Sequence, residues 1–115
     1  MKLMDALPDL ALQIQEWFES NDYHDLAEQI PELEITKYTS SSGGSAIYIY
    51  MRGRPLNAVE QNIIGSRYGG TISISGCSGI VNVDIDNFSI ITGIELLNRS
   101  DIMRILEEKG LRKSN

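Results

Sequence analysis

The three carboxylates Asp84, Asp86 and Glu95 are the residues whose spacing comes nearest to a reactive site in this chain. In the run Val81-Asn82-Val83-Asp84-Ile85-Asp86 apolar and polar residues alternate, so a β-strand places both aspartates on one face. A hairpin turning at Asp86-Asn87-Phe88-Ser89 pairs Ile85 with Ile90, Val83 with Thr92 and Val81 with Ile94. That register brings Glu95 and Asn82 to the aspartate face. Oxygen ligands so gathered suit magnesium or calcium and would serve a small metal-dependent enzyme. They equally make the wet side of a hairpin beside a turn in which Asp and Asn are at home. The second reading is preferred, so no catalytic residue, metal or cofactor is assigned. His24 and Cys77 are the sole histidine and cysteine, too few for a soft-metal site. As a catalytic pair they need not be adjacent in sequence, but a cysteine among glycine turns and a histidine at a helix start are ordinary, and nucleophilic catalysis is set aside. The loop Ser40-Ser41-Ser42-Gly43-Gly44 lacks the Lys-Ser/Thr of a phosphate cradle and reads as a hairpin connection.

Charge is the next signal. The net charge is −6, yet residues 1–34 hold nine acids against Lys2 alone, a local −8, while the remainder is +2. Such a segment repels phosphate backbones and favours a basic protein surface. Candidate partner contacts are Glu16, Glu19, Asp22, Asp25 and Glu28 on the acidic helices, with Tyr48 and Tyr50 as aromatic anchors. Arg52, Arg54 and Arg67 lie near Tyr48, Tyr50 and Tyr68 in sequence, a possible basic-aromatic patch. A sequence pI of about 4.6 nevertheless argues against nucleic acid as the partner.

The elements that must position these residues are legible from periodicity. Leu7, Leu10, Ala11, Ile14, Trp17 and Phe18 form one apolar stripe, predicting a helix from near Asp5 to Glu19 with Pro8 in its first turn. It breaks at Ser20-Asn21-Asp22, and a short helix over 23–29 ends before Pro31. Residues 33–39 read as a strand with Leu33, Ile35 and Lys37 opposing Glu34, Thr36 and Tyr38. Residues 45–51 carry apolar side chains on both faces, predicting a central strand with something packed on each side. Residues 56–64 fit helix or strand, with strand preferred, and 71–75 form a further strand with Ile72 and Ile74 inward. Ser100 is placed to cap a last helix that Gly110 ends. The expected fold is α+β: two layers, with a mainly antiparallel five- or six-stranded sheet packed by N-terminal and C-terminal helices. The whole of 1–115 is read as one domain, with an acidic helical segment over 1–31, a β-rich segment over 32–99 and the C-terminal helix over 100–110.

Ala46-Ile47-Tyr48-Ile49, then Val81-Asn82-Val83-Asp84-Ile85-Asp86, then Ile91-Thr92-Gly93-Ile94-Glu95-Leu96-Leu97 resemble the pattern of a small, mostly bacterial family, domain of unknown function 2283. The resemblance covers roughly half the chain. It departs at the turn, where the family has a glycine and this chain has Phe88-Ser89, and the acidic helices are additional. It implies a compact antiparallel sheet and little about function, since the family has no established activity.

Hydrophobic content of 42% and charged content of 23% are those of an ordinary globular domain, and no apolar run reaches membrane-spanning length. The opening MKLMDALPDL does not read as a signal peptide, and a single cysteine suits a reducing compartment, so a cytoplasmic protein is expected. Together these features predict a non-catalytic protein-binding module. The most concrete form is an immunity protein that neutralises a basic bacterial toxin domain, such as a nuclease. A structural or regulatory homo-oligomer, formed by pairing sheet edges or by packing Tyr48 and Tyr50 across a two-fold axis, is the alternative.

Overall fold

The computed structural model describes residues 1–41, 45–53, 69–77 and 79–114. The chain runs through helices α1 (Leu3–Ala6), α2 (Pro8–Ser20) and α3 (His24–Gln29) and a 3-10 turn (Ile30–Glu32). Strands β1 (Glu34–Ser41), β2 (Ala46–Arg52), β3 (Gly70–Ile74), β4 (Val81–Ile85) and β5 (Ile91–Leu97) follow, then helix α4 (Ser100–Glu108). The strands form one antiparallel sheet in the order β1-β2-β5-β4-β3. Helices at both ends of the chain join it in one apolar core, which is the α+β arrangement that the periodicities predict. Residues 56–64, which fit helix or strand by sequence, lie outside the described residues.

Helices and strands meet through one continuous core. Leu10, Ala11, Ile14 and Phe18 of α2 and Leu26 of α3 are buried in the same cluster as Ile47, Ile49, Val81, Val83, Ile94 and Leu96 of the sheet. The alternation in β2, β4 and the body of β5 therefore sends one set of side chains beneath the helices and the other to the opposite face.

The first helix is in fact two. Leu7 leaves helical geometry, at φ −136°, and Pro8 takes the first position of α2 rather than lying inside a longer helix. A proline has no N–H to give to the turn before it, so the helix restarts there. At the other end Asp22 adopts φ +65°, the Tyr23 N–H donates to Phe18 O and the Asp22 N–H to Glu19 O. This is a Schellman closure, completed by a 6.0 Å ring contact between Phe18 and Tyr23. Helix α4 closes in the same way at Gly110 (φ +71°), with Leu111 N–H donating to Leu106 O and Gly110 N–H to Glu107 O. Ser100 does not cap α4: it is the first helical residue and Arg99 holds the cap position without a side-chain bond. Instead Arg99 grips Asp101 with two bonds of 3.0 and 3.1 Å and donates to the Cys77 carbonyl at 2.9 Å. That pairing ties the helix start to the β3–β4 connection.

Two strands differ from the simple alternation and register, and a bulge contributes to each. Thr36 is an extra residue in β1, since Ile35 opposes Met51 and Lys37 opposes Tyr50. Beyond it the parity inverts, so Tyr38 is buried and Lys37 turns to the opposite face. Thr92 is the extra residue in β5, between the pairs Asp84–Gly93 and Ile85–Ile91. Ile85 already pairs with Ile91 rather than Ile90, one step from the expected register, and the extra Thr92 adds the second, so Val81 opposes Leu96 and Val83 opposes Ile94. A slip of two preserves the faces, so Asn82, Asp84, Gly93 and Glu95 still share one. Each threonine hydroxyl donates to a carbonyl across the ladder, Thr36 to Tyr50 at 3.2 Å and Thr92 to Asp84 at 3.3 Å.

Candidate partner-binding surfaces

Helices α2 and α3 and the turn between them present the acidic set. Glu16 and Glu19, three residues apart on α2, lie at its surface beside Asp22 in the turn and Glu28 on α3, while Asp25 is half-buried. Gln15 donates to the Ala27 carbonyl at 3.3 Å, locking the α2 flank that continues to Glu19 against α3. Beneath this corner Trp17 stacks on Tyr23, with ring centres 6.1 Å apart, and Phe18 meets both edge-on. The aromatic trio buries Phe18 fully and fixes the angle at which the acids are displayed. The Asp22 side chain is 97% exposed and lies 3.7 Å from His24.

Tyr48 and Tyr50 lie elsewhere. They alternate with Ile47, Ile49 and Met51, which enter the core below the helices, so the tyrosines occupy the other face of the sheet. The seven candidate contacts therefore form two separate surfaces rather than one. The rings lie 4.7 Å apart and the Lys37 ammonium sits 4.9 Å from the centre of Tyr50. Tyr48 leans over Gly93, where an added methyl would overlap its ring, and its hydroxyl donates to Asp84 Oδ2. Burial raises the Tyr48 pKa above its usual 10.0, and the Asp84 hydrogen bond and charge push it further the same way.

The carboxylates on this sheet face are committed internally. Asp84 Oδ1 also accepts from Thr71 at 2.7 Å. Glu95 accepts from Asn82 at 3.0 Å, and Asn82 in turn accepts from Ser73 at 2.7 Å. Two rungs of polar side chains thus cross the sheet, one from β3 to β2 and one from β3 to β5. Asp86 serves neither: its Oδ1 accepts the Phe88 and Ile90 N–H groups at 2.8 and 3.0 Å and shapes the turn. Among the described residues no group of three or more His, Cys, Asp or Glu is placed to hold a metal ion. His24 is exposed beside Asp22, whereas Cys77 is buried, and burial raises its thiol pKa against a smaller lowering by Arg99. Among the described residues no hydrogen bond or ion pair joins His24 to Cys77.

Sequence reasoning did not find the residue that couples the acidic helices to the hairpin. Gln29, the last residue of α3, donates to the Ser89 carbonyl at 2.5 Å and accepts the Ile91 N–H at 2.9 Å. Its amide clamps the β4–β5 turn, where Ser89 is fully buried at φ +61°. A lone glutamine before a proline turn carries no pattern that marks this role. The chain was compared with protein-family models, curated proteins and solved structures, and it matches none of them.

Proposed function

We propose that this chain is a non-catalytic binding module that captures a basic protein partner on the α2–α3 corner. As the partner class we infer a basic toxin domain of nuclease type, which the chain neutralises as an immunity protein in the bacterial cytoplasm. The observation that carries the reading is Asp22. It sits at the tip of the corner in a left-handed conformation that favours glycine, with its side chain turned to solvent. The Schellman closure that sets this conformation also places the carboxylate at the outermost point of the corner, where a cationic surface would meet it first. Glu16, Glu19 and Glu28 flank it with no basic side chain bonded to them among the described residues. That arrangement supports fast, charge-steered association with a cationic surface. The aromatic pair on the opposite sheet face is not part of this contact.

The test is growth rescue. The chain is co-expressed with a panel of basic nuclease toxin domains, including any encoded beside its own gene, and compared with a variant carrying Glu16→Lys, Glu19→Lys, Asp22→Lys and Glu28→Lys. Rescue by the original chain and its loss in the variant support the proposal, with association slowed by at least tenfold at low salt. Equal rescue by both would sink the electrostatic corner as the contact. Rescue by neither, from a folded chain, would sink the immunity reading.

A further inference from the structure

Strand β1 is an edge of the sheet, and two terminal segments cover its outer side. At its start Lys2 pairs antiparallel with Glu34, and the Ile35 N–H donates to Met1 O at 2.8 Å. Further along, Lys113 pairs in parallel with Tyr38: the Tyr38 N–H donates to Arg112 O at 2.9 Å and the Ser114 N–H to Tyr38 O at 2.7 Å. Both backbone groups of Tyr38 therefore point away from β2. Outward rungs recur every second residue, so those of Ser40 point the same way, and they meet no backbone partner among the described residues. The tail that covers Tyr38 is slight. It leaves α4 through the turn at Gly110, only Leu111 packs against the core, and Arg112 and Lys113 are exposed.

We propose that residues 111–114 act as a displaceable cover over a latent pairing edge, whose partner once uncovered is the same edge of a second copy of this chain. Removing the tail frees consecutive outward rungs at Tyr38 and Ser40, a template for another strand. An antiparallel pairing of β1 with its own copy is isologous: a two-fold axis perpendicular to the sheet joins the two sheets and keeps both helical layers on one side. Between Ile35 and Ser41 the only charged residue is Lys37, so the edge carries little of the like-charge repulsion that blunts exposed strands. The Thr36 bulge and the N-terminal cover confine the pairing to the second half of β1. This inference does not rest on the acidic corner, which belongs to the other layer.

The experiment compares the full chain with one stopped after Gly110, using light scattering across a wide range of concentration. The truncation removes Arg112 and Lys113, taking the net charge from −6 to −8, so long-range repulsion opposes association. A monomeric full chain and a truncated chain whose mass doubles with concentration are expected. Ser40→Pro in the truncated chain, which deletes an outward donor, returns it to monomer. A truncated chain that is folded by circular dichroism and stays monomeric overturns the proposal, as does a full chain already dimeric through β1. If the truncated chain does not fold, hydrogen exchange on the full chain decides. A Tyr38 amide exchanging at least tenfold faster than Ile94 supports a displaceable cover, and equal protection of the two overturns it.

Discussion

The acidic helical corner and the polar face of the sheet both display carboxylates, yet they use them in opposite ways. On the sheet, Asp84 and Glu95 each accept hydrogen bonds from neighbouring strands, and those bonds help fix how Tyr48 covers Gly93. On the corner, Glu16, Glu19 and Glu28 extend to solvent, and Asp22 stands on a backbone that would be more relaxed with glycine. Residue type alone does not distinguish a ligand from a structural acceptor. What distinguishes them is whether the lone pairs already have donors, which depends on which strands become neighbours. The sheet carboxylates are bonded within the fold, and Glu16, Glu19 and Glu28 of the corner face solvent.

The sharpest way to break this contrast is Asp84→Ala. It removes the acceptor for both Tyr48 and Thr71, and the half-buried Tyr48 hydroxyl loses a partner that water replaces only in part. A loss of about 1–2 kcal/mol is expected from urea unfolding. Pairing it with Tyr48→Phe in a double-mutant cycle should show coupling, because both changes act on one bond. A loss no larger than that of an exposed-site change would mean that the sheet face is as idle as the corner.

The alkaline limb of the stability curve probes the same bond by titration. Tyr48 keeps its proton in the folded state above the ordinary value of 10.0, while the unfolded chain releases it near that value. The unfolded state therefore binds fewer protons from about pH 10 upward, and stability must fall as pH rises through that range. The Tyr48 contribution is fully present below about pH 10, and Tyr48→Phe should flatten this limb in unfolding measurements between about pH 9 and 11.

Much of this arrangement is legible in the amino-acid sequence. Alternation in 81–85 identifies the core face of β4, the stripe from Leu7 to Phe18 identifies the buried side of α2, and Gly110 marks the end of α4. The faces of β1 beyond Ile35 and the hairpin register are not legible there: a bulge inverts the first, and a bulge together with a turn one residue longer shifts the second. A threonine at position 36 or 92 reads as one more β-branched strand residue, and only its cross-strand carbonyl partner reveals it as the extra member of a bulge. The split between α1 and α2 is visible in Pro8 itself, which belongs at a helix start rather than inside one. The separation of Tyr48 and Tyr50 from the acids follows from parity, since Ile47 and Ile49 must face the helices if the tyrosines do not. The clamp by Gln29 depends on a contact across about 60 residues of sequence, which no local pattern encodes.

Asp22→Gly tests the corner from the opposite direction. Glycine adopts the left-handed conformation without the cost of a Cβ, so the substitution should stabilise the fold by about 0.5–1 kcal/mol while removing a carboxylate. The two readouts then separate. A gain in melting temperature with slower partner association is the pattern of a residue kept for binding against its backbone preference. Some of the gain is offset because glycine also enlarges the freedom of the unfolded chain. A loss of stability would instead assign Asp22 a structural role, through its 3.7 Å contact with His24 or its backbone, and the contrast with the sheet would narrow.

The smallest expected effect is the most discriminating. Glu16→Gln with Glu19→Gln keeps the shape and helix preference of both side chains and removes two negative charges. No described bond depends on either carboxylate, and the segment around them carries eight more negative charges than positive. The lost repulsion and the lost hydration should leave stability within about 0.5 kcal/mol, with a slight gain more consistent with the crowded charge than a loss. That near-silence in unfolding, beside the clear loss for Asp84→Ala, is what assigns the two carboxylate sets to different tasks. A loss comparable to Asp84→Ala would show that the helix acids are structural acceptors too, and the physical ground for placing a partner on them would be gone.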